Sequence, residues 1–142
     1  MSSDLRTTRR GFSLVEVLVV MVIIGILASL VVFRTRSYLI VSKQNAAKVE
    51  IARLVQALET FYSVHDRYPS NDEGIEVLAT KSDQFPDGIL NKTPDDPWRH
   101  AYQYNSPGEN GPFEVICLGA DGREGGEGAD RDIHSDDLDK QT

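Results

Sequence analysis

The sequence predicts an α+β protein in which one long N-terminal helix packs on a small antiparallel β-sheet, followed by an acidic, glycine-rich C-terminal loop. Three observations support this prediction. An uncharged apolar run covers residues 17–33, and no proline or glycine interrupts residues 34–65. Two short segments typical of β-strands follow Trp98. A chain of 142 residues therefore has room for one anchoring helix and one small globular domain.

The composition limits the classes of function. The formal net charge of −7 is unfavourable for contact with phosphate backbones, so we expect no nucleic-acid partner. Cys117 is the only cysteine, which excludes an internal disulfide. His65, His100 and His134 are scattered, and no motif pairs them with a nucleophile or a phosphate-binding loop. We therefore expect a protein that is not an enzyme.

The apolar run at residues 17–33 lies at the lower end of the length that spans a bilayer, and the apolar residues just before it complete the span. Residues 1–11 ahead of it are polar and basic. A secretory signal peptide would instead place a small-residue cleavage motif after the run, and Ala28-Ser29 is only a weak candidate. An unprocessed single-pass anchor is an alternative, but it leaves Glu16 unexplained.

The residues at the start of this run form a motif. Gly11-Phe12-Ser13-Leu14-Val15-Glu16, preceded by Arg9 and Arg10, resembles the class III signal of type IV pilins and pseudopilins. The resemblance implies that a prepilin peptidase cuts between Gly11 and Phe12 and that Phe12 becomes N-methylated. It also implies that the apolar run stays in the product.

The same resemblance divides the chain into three parts. It implies a leader peptide over residues 1–11 that is removed, a transmembrane and filament-core helix segment over residues 12–33, and a periplasmic pseudopilin head over residues 34–142. Basic residues lie on both sides of the span, so the positive-inside rule gives no orientation. The cytoplasmic N-terminus is therefore implied by the resemblance alone.

Glu16 is an ionisable residue near the start of the apolar run. A lone carboxylate at membrane depth costs on the order of a few kcal/mol, so we expect it to be paired. Cleavage creates an amine at Phe12, and a neighbouring subunit in a filament can bring its own amine to the same depth. The resemblance supports this intermolecular pairing as the role of Glu16 in assembly. Pairing within one subunit and a solvated carboxylate at headgroup level are the alternatives.

Residues 34–65 are predicted to form an amphipathic helix that continues the span, because the next proline is Pro69. Apolar side chains recur at helical spacing, and charged or polar residues occupy the remaining surface. We expect this stripe to pack on the head and the stretch near residues 38–43 to contact neighbouring subunits. The stripe consists of Ile51, Val55, Leu58 and Tyr62, with Ala47, Leu54 and Phe61 beside them.

The chain beyond the helix begins with a capping signal. Ser70 and Glu73 have the spacing of a capping box, which predicts a short second helix that begins near Ile75. Residues 81–97 contain several prolines and an Asp-Gly pair. This composition predicts a loop that crosses the domain.

Two strands are predicted next. Residues 102–104 alternate in the manner of a strand, and residues 113–118 favour a second strand. Residues 106–111 between them have turn composition, so the pair predicts a hairpin. A two-stranded ribbon is marginal alone and should lean on the amphipathic helix. We expect Cys117 to be a small core side chain. The side chains expected to contact the helix are Tyr102, Tyr104, Phe113 and Val115.

Residues 118–135 combine glycines with carboxylates that repel one another. Calcium accepts about six to eight oxygens from carboxylates and backbone carbonyls in flexible loops, which suits both features. The segment lacks the acidic series of an EF-hand, and residues 125–130 match the start of a nonapeptide calcium repeat only once. A solvated acidic tail without a cation is the alternative.

The second half of the chain contains a series of short motifs: Asp95-Asp96-Pro97-Trp98, Tyr102-Gln103-Tyr104, Ser106-Pro107-Gly108, Leu118-Gly119-Ala120-Asp121-Gly122, Gly125-Gly126-Glu127-Gly128 and Asp132-Ile133. Together they resemble the major pseudopilin family of the type II secretion system, also called the general secretion pathway protein G family. The resemblance completes the predicted fold with a C-terminal calcium loop. It implies that Ca²⁺ is held by the side chains of Asp121 and Asp132 and by the carbonyls of Leu118 and Arg123. Asp130 is a further candidate, because the second acid can be aligned in two registers.

The resemblance also implies a function. The chain is expected to be a structural subunit that polymerises into the periplasmic pseudopilus and drives export of folded proteins across the outer membrane. It is expected to be a single-pass protein of the cell inner membrane with its C-terminal domain in the periplasm. The expected partners are other copies of the chain, minor pseudopilins, the prepilin peptidase and the inner-membrane assembly platform. The alternatives are a type IV pilin subunit of an extended fibre and a non-polymerising, membrane-tethered calcium-binding module.

Overall fold

The structure, a computed structural model, describes residues 11–138 and, for residues 32–35, the backbone only. The predicted leader over residues 1–11 therefore lies outside the described residues, except for Gly11. The helix α1 covers Leu14–His65, and the strands are β1 Gln103–Asn105, β2 Glu114–Cys117 and β3 Ile133–His134. Short 3-10 helices cover Ile75–Ala79, Gly128–Asp130 and Ser135–Asp137.

Contacts between residues divide the chain into two compact units, Met1–Tyr38 and Leu39–Thr142. In the first unit, the described side chains from residue 11 to residue 31 are all exposed, and most of them are apolar. The helix is long and apolar enough to cross a bilayer, with a mean hydropathy of 3.0 in its most apolar window. An apolar helix without burial in its own chain needs lipid or another apolar surface.

In the second unit, α1 supplies one wall of the hydrophobic core. Ile51, Leu54 and Leu58 are fully buried, at the spacing of one helix face. The predicted apolar stripe is confirmed along this line, whereas Tyr62 at its edge is 41% exposed. The ring of Tyr62 stacks instead on the ring of Tyr68, with 4.7 Å between the two centroids.

The predicted capping box is present after α1. The backbone N–H of Ser70 donates to Glu73 Oε2 at 2.8 Å, and the N–H of Glu73 donates to Ser70 Oγ at 3.3 Å. The helix that follows is a 3-10 helix over Ile75–Ala79. A helix of only five residues is typically of the tighter 3-10 form, which proteins use in short pieces.

The strands form an antiparallel sheet in the order β1-β2-β3. The predicted hairpin of β1 and β2 is confirmed, with Tyr104 opposite Val115. The third strand was not predicted. It places Ile133 opposite Cys117, and a strand of two residues carries no alternating pattern that a sequence could reveal. Residues 118–132 therefore form a closed loop between two neighbouring strands.

The sheet has one face toward α1 and one face away from it. Cys117 and Val115 are fully buried on the first face, within the same core as Leu54, so the expectation for Cys117 is confirmed. On the second face, the carboxylate of the buried Glu114 lies 2.7 Å from His134 Nδ1. The predicted contacts Tyr102, Phe113 and Val115 are buried in the core, and Tyr104 packs against it half-buried.

Candidate functional site

The first candidate site is the start of α1. The N–H of Val15 donates to Ser13 Oγ at 3.3 Å, and the N–H of Ser13 donates to Glu16 Oε2 at 3.0 Å. This reciprocal pattern is a capping box that closes the first turn. A carboxylate in the first turn is also favoured by the positive end of the helix dipole. Glu16 therefore has a local structural role in the chain before any partner is considered.

The predicted processing residues lie just outside this cap. Gly11 and Phe12 precede the first helical residue and have no regular secondary structure. Phe12 is 86% exposed, although it is a large apolar residue. The Gly11–Phe12 peptide bond therefore lies on exposed, non-helical backbone, which is the form in which a protease needs its substrate.

The second candidate site is the loop over residues 118–132. The N–H of Ala120 donates to the carbonyl of Ala129 at 3.0 Å, which joins the two arms of the loop near its base. Gly119 lies against the opposite arm with a φ of 68°. A Cβ at this position would lie 2.6 Å from the carbonyl carbon of Asp130. The loop therefore depends on glycine for a contact between two backbones.

The predicted acidic ligands take different positions in this loop. Asp132 Oδ2 accepts the N–H of Gly125 at 2.7 Å, which crosses the loop. Asp121 is exposed, and its Oδ1 accepts the N–H of Arg123 at 3.1 Å. Asp130 is half-buried at the point where the two arms meet. Leu118, whose carbonyl is the remaining predicted ligand, is buried at the end of β2.

One atom of the loop is unusual. Asp132 Oδ1 is buried and has no hydrogen-bond partner among the described residues. A buried carboxylate oxygen without a partner is costly unless a cation or another donor meets it. Residues 11–138 hold no group of three or more His, Cys, Asp or Glu side chains suited to a metal ion. Calcium also accepts backbone carbonyls, so the orphaned oxygen of Asp132 has the chemistry of one calcium ligand.

Two side chains outside the loop contact its backbone, and neither was identified from the sequence. Gln44 on α1 donates through Nε2 to the carbonyl of Gly128 at 2.6 Å. His100 Nδ1 lies 3.3 Å from the carbonyl oxygen of Gly119, and the His100 ring lies beside Gly122. Gln44 and Gly128 are 84 residues apart, and no local pattern signals such a contact.

His100 is itself held by a buried carboxylate. The side chain of Asp96 is fully buried, and its Oδ1 accepts the N–H groups of Trp98 and His100, both at 2.8 Å. Its Oδ2 accepts the thiol of Cys117 at 3.4 Å. Burial raises the pKa of the Cys117 thiol to about 12, so this cysteine is an unreactive core group. Asp96 thus fixes the turn that carries His100 beneath the loop.

The outer face of the sheet forms a cleft beside the loop. It encloses about 380 Å³ and is lined by carboxylates from three segments, among them Glu109, Glu124 and Asp132. Glu114 and His134 also line it and pair with each other. The loop carboxylates Glu124 and Asp132 thus share an acidic cleft with Glu109 and Glu114 from outside the loop, and like charges in one cleft repel one another.

The N-terminal segment of the chain indicates the class of protein. Residues 6–32 match the family model described as the prokaryotic N-terminal methylation motif. An exposed apolar helix with this motif, joined to a small head with an antiparallel sheet, is the architecture of a pilin-like subunit.

Comparison of the whole chain specifies the class further. Residues 36–136 match the family model for type II secretion system protein G. The chain is 43% identical over 135 residues to the type II secretion system core protein G of Pseudomonas aeruginosa, covering 90% of this chain and 95% of that protein. It is also 43% identical over 129 residues to the protein of the same name from Vibrio cholerae, covering 87% and 88%.

A solved structure gives the same result. The crystal structure of the major pseudopilin from the type 2 secretion system of enterohaemorrhagic Escherichia coli superimposes with a TM-score of 0.53 at 26% identity. The match covers 66% of this chain and 89% of that chain. The chain belongs to the major pseudopilin family of the type II secretion system. This is a family of structural subunits, so the expectation that the chain is not an enzyme is confirmed, and its apolar helix indicates anchoring at the inner membrane.

Proposed function

We propose that the mature chain polymerises into the periplasmic pseudopilus of the type II secretion system and thereby drives export of folded proteins across the outer membrane. The observation that supports this proposal is the exposed apolar half of α1. Leu18, Ile24 and Leu30 are between 57% and 60% exposed, although they are large apolar residues. Lipid covers such a helix in the single subunit, and apolar helices of neighbouring copies cover it in a filament.

Processing prepares the helix for this assembly. In the proposed sequence, the prepilin peptidase cuts between Gly11 and Phe12, and the new amine of Phe12 is N-methylated. Glu16 Oε2 accepts the N–H of its own Ser13, and this bond is unaffected by the cut. The other oxygen, Oε1, then accepts the Phe12 amine of a neighbouring subunit. This pairing removes a lone charge from the apolar layer and sets the depth of each new subunit.

The remaining parts of the proposal concern location and partners. The N-terminus lies in the cytoplasm and the head, residues 34–142, lies in the periplasm. The inner-membrane assembly platform adds subunits, and minor pseudopilins form part of the same filament. The similar proteins of Pseudomonas aeruginosa and Vibrio cholerae are both type II secretion system core proteins G. This similarity supports a short pseudopilus rather than the extended fibre of a type IV pilin.

The experiment tests the filament through Glu16. A cysteine placed in the apolar helix, Ile23→Cys, reports contact between helices by oxidative crosslinking in membranes, because the native Cys117 is buried and unreactive. We expect a disulfide-linked dimer that is lost in Glu16→Gln, while cleavage of the leader continues. Ser13→Ala is the control, because it removes the capping hydroxyl and keeps the carboxylate. A normal amount of dimer in Glu16→Gln would assign Glu16 to the headgroup layer. A monomer in every variant would support the non-polymerising, membrane-tethered alternative.

We further propose that the loop over residues 118–132 binds calcium. Asp121 and Asp132 provide side-chain ligands, Asp130 is a third candidate, and the carbonyls of Leu118 and Arg123 complete the set. The buried, unpartnered Oδ1 of Asp132 is the observation that supports this part. The ion supplies positive charge that offsets repulsion among the loop carboxylates.

The calcium proposal is tested on the full chain in detergent micelles. Calcium should raise the thermal midpoint of the head relative to EDTA, because a ligand that binds only the folded state stabilises it by mass action. Asp132→Asn and Asp121→Ala should each reduce the rise. Asp83→Asn, an exposed acid outside the loop, should keep it. An equal midpoint in calcium and EDTA for the unmodified chain would refute the site.

A further inference from the structure

The contact between Gln44 and Gly128 connects α1 to the loop. Gln44 lies where the exposure of the helix changes. Leu39 and Val41 on one side are 59% and 50% exposed, whereas Ala47 on the other side is fully buried. Gln44 is itself half-buried, and its Nε2 lies 2.6 Å from the carbonyl oxygen of Gly128.

Gly128 occupies a critical position in the loop. It begins the short 3-10 helix Gly128–Asp130, so its carbonyl lies two residues before Asp130 and four before Asp132. A Cβ added at Gly128 would meet no described atom within 4 Å. No described side chain or backbone therefore packs against Gly128 in the Cβ direction. The hydrogen bond from Gln44 is a specific constraint on the part of the loop that carries Asp130 and Asp132.

We propose that Gln44 is a positioning residue for the cation loop, and that cation binding in the loop and order in the helix around Gln44 stabilise each other. This inference rests on the proposed calcium site. Gln44 holds the acidic arm in the conformation that binds the ion, so fewer loop conformations compete with the binding-competent one. Coupling between two sites is reciprocal in free energy. The ion therefore stabilises the Gln44 contact as much as the contact favours the ion.

The coupling connects the loop to an exposed apolar part of the helix. The stretch just before Gln44 exposes Leu39 and Val41 at the start of the second unit. Order in this stretch determines whether these side chains are presented on a continuous helix. Calcium at the loop would thus act on a surface that a neighbouring copy contacts, through one side-chain amide.

The test compares three full-length chains in detergent micelles. Gln44→Met keeps nearly the same side-chain volume and removes the N–H donor. Asn45→Ala changes an exposed neighbour on the same helix and serves as the matched control. Calcium affinity is measured by isothermal titration calorimetry. Hydrogen exchange is followed by mass spectrometry for the helix around residues 41–47 and for the loop, with calcium and with EDTA.

We expect Gln44→Met to weaken calcium binding by about two- to tenfold, the range for one net hydrogen bond. In the unmodified chain and in Asn45→Ala, calcium should slow exchange in the helix around residue 44. In Gln44→Met this protection should be lost, although the helix remains folded. A purely structural role for Gln44 would lower stability and leave the calcium-dependent protection in place, and that result would overturn the proposal.

Failure of the positioning role of Gln44 can be distinguished from failure of the calcium site. If the unmodified chain binds no calcium, the cation site is wrong, and the positioning role is judged in EDTA alone. Gln44→Met should then speed exchange of the Ala120 and Asp130 amides, which donate to Ala129 and Glu127 within the loop. Unchanged exchange at both amides would refute the contact as a constraint on the loop.

Discussion

Replacing Gly119 by alanine is expected to destabilise the head strongly, because two separate costs coincide there. The φ of 68° lies in the left-handed region, which costs an L-residue about 1–2 kcal/mol. The new Cβ would also lie 2.6 Å from the carbonyl carbon of Asp130 and 3.0 Å from the carbonyl oxygen of Ala129. Backbone on both sides prevents easy relief, so overpacking adds about 1–3 kcal/mol.

Two other glycines separate these costs. Gly128 has a φ of 62° and open space around the missing Cβ, so Gly128→Ala should cost only the backbone term, about 1–2 kcal/mol. Gly111 has neither a left-handed φ nor a close contact, because the carbonyl oxygen of Phe113 lies 3.8 Å from the added Cβ. Gly111→Ala should therefore leave stability unchanged or raise it by about 0.4–1 kcal/mol through the unfolded chain.

The assay is thermal unfolding in micelles, followed by the fluorescence of Trp98, the only tryptophan, which lies in the head. For a domain of this size, 1 kcal/mol shifts the midpoint by about 4 °C. Gly119→Ala should lower the midpoint by about 8–20 °C and Gly128→Ala by about 4–8 °C. Equal decreases of the midpoint in Gly119→Ala and Gly128→Ala would show that the close approach of the loop arms at Gly119 is wrong. An unchanged midpoint in both variants would also refute the cost assigned to the left-handed φ.

Three further predictions concern the rest of the head. Leu54→Ala should destabilise it by about 2–5 kcal/mol in urea unfolding, because Leu54 is fully buried, whereas Val49→Ala at a position 69% exposed should change stability by less than about 0.5 kcal/mol. Arg99→Gly should stabilise the head by about 1 kcal/mol, because Arg99 has a φ of 72° that glycine adopts without strain; a lower midpoint would contradict this reasoning. The hydrogen bond from Arg67 and the backbone N–H of Ser70 lower the pKa of Glu73 to about 2, below its ordinary 4.5, so its contribution to stability is present above pH 4.5 and is lost as the pH falls toward 2. Glu73→Gln should therefore weaken the dependence of the thermal midpoint on pH between pH 2 and 4.5. An unchanged dependence would show that the exposed Arg67–Glu73 pair contributes nothing to stability.

The helix and the hairpin could be predicted because they carry local sequence patterns. Ile51, Leu54 and Leu58 repeat at the period of one helix face, and each is fully buried. This periodicity arises from burial on one side, so it can be read without any knowledge of the partner element. In the hairpin, Tyr104 lies between two polar residues and pairs with Val115, whereas all four residues of β2 are buried and were recognised as a short, mainly apolar run after a turn.

The rest could not be predicted because it depends on contacts between distant residues. Strand β3 consists of two residues and exists because Ile133 returns to Cys117 across the loop. Gln44 and His100 contact loop carbonyls 84 and 19 residues away, and a polar side chain in a sequence does not specify its acceptor. Asp96 was noted only as part of a motif, and its burial with three donors emerges only in the folded chain.

These distant contacts also bear on what calcium does in the proposed site. The path of the loop is determined by the close approach at Gly119, the Ala120–Ala129 hydrogen bond and the amide of Gln44, none of which involves a carboxylate. Two bonds use the acids: Asp121 accepts the N–H of Arg123, and Asp132 accepts the N–H of Gly125. The second of these leaves Asp132 Oδ1 buried without a partner among the described residues. The protein scaffold thus supplies the shape of the loop, while the charge balance is left incomplete. A cation that completes the balance should stabilise the loop without changing its backbone path, so the β2–β3 hydrogen bonds should persist in EDTA while the loop amides exchange faster.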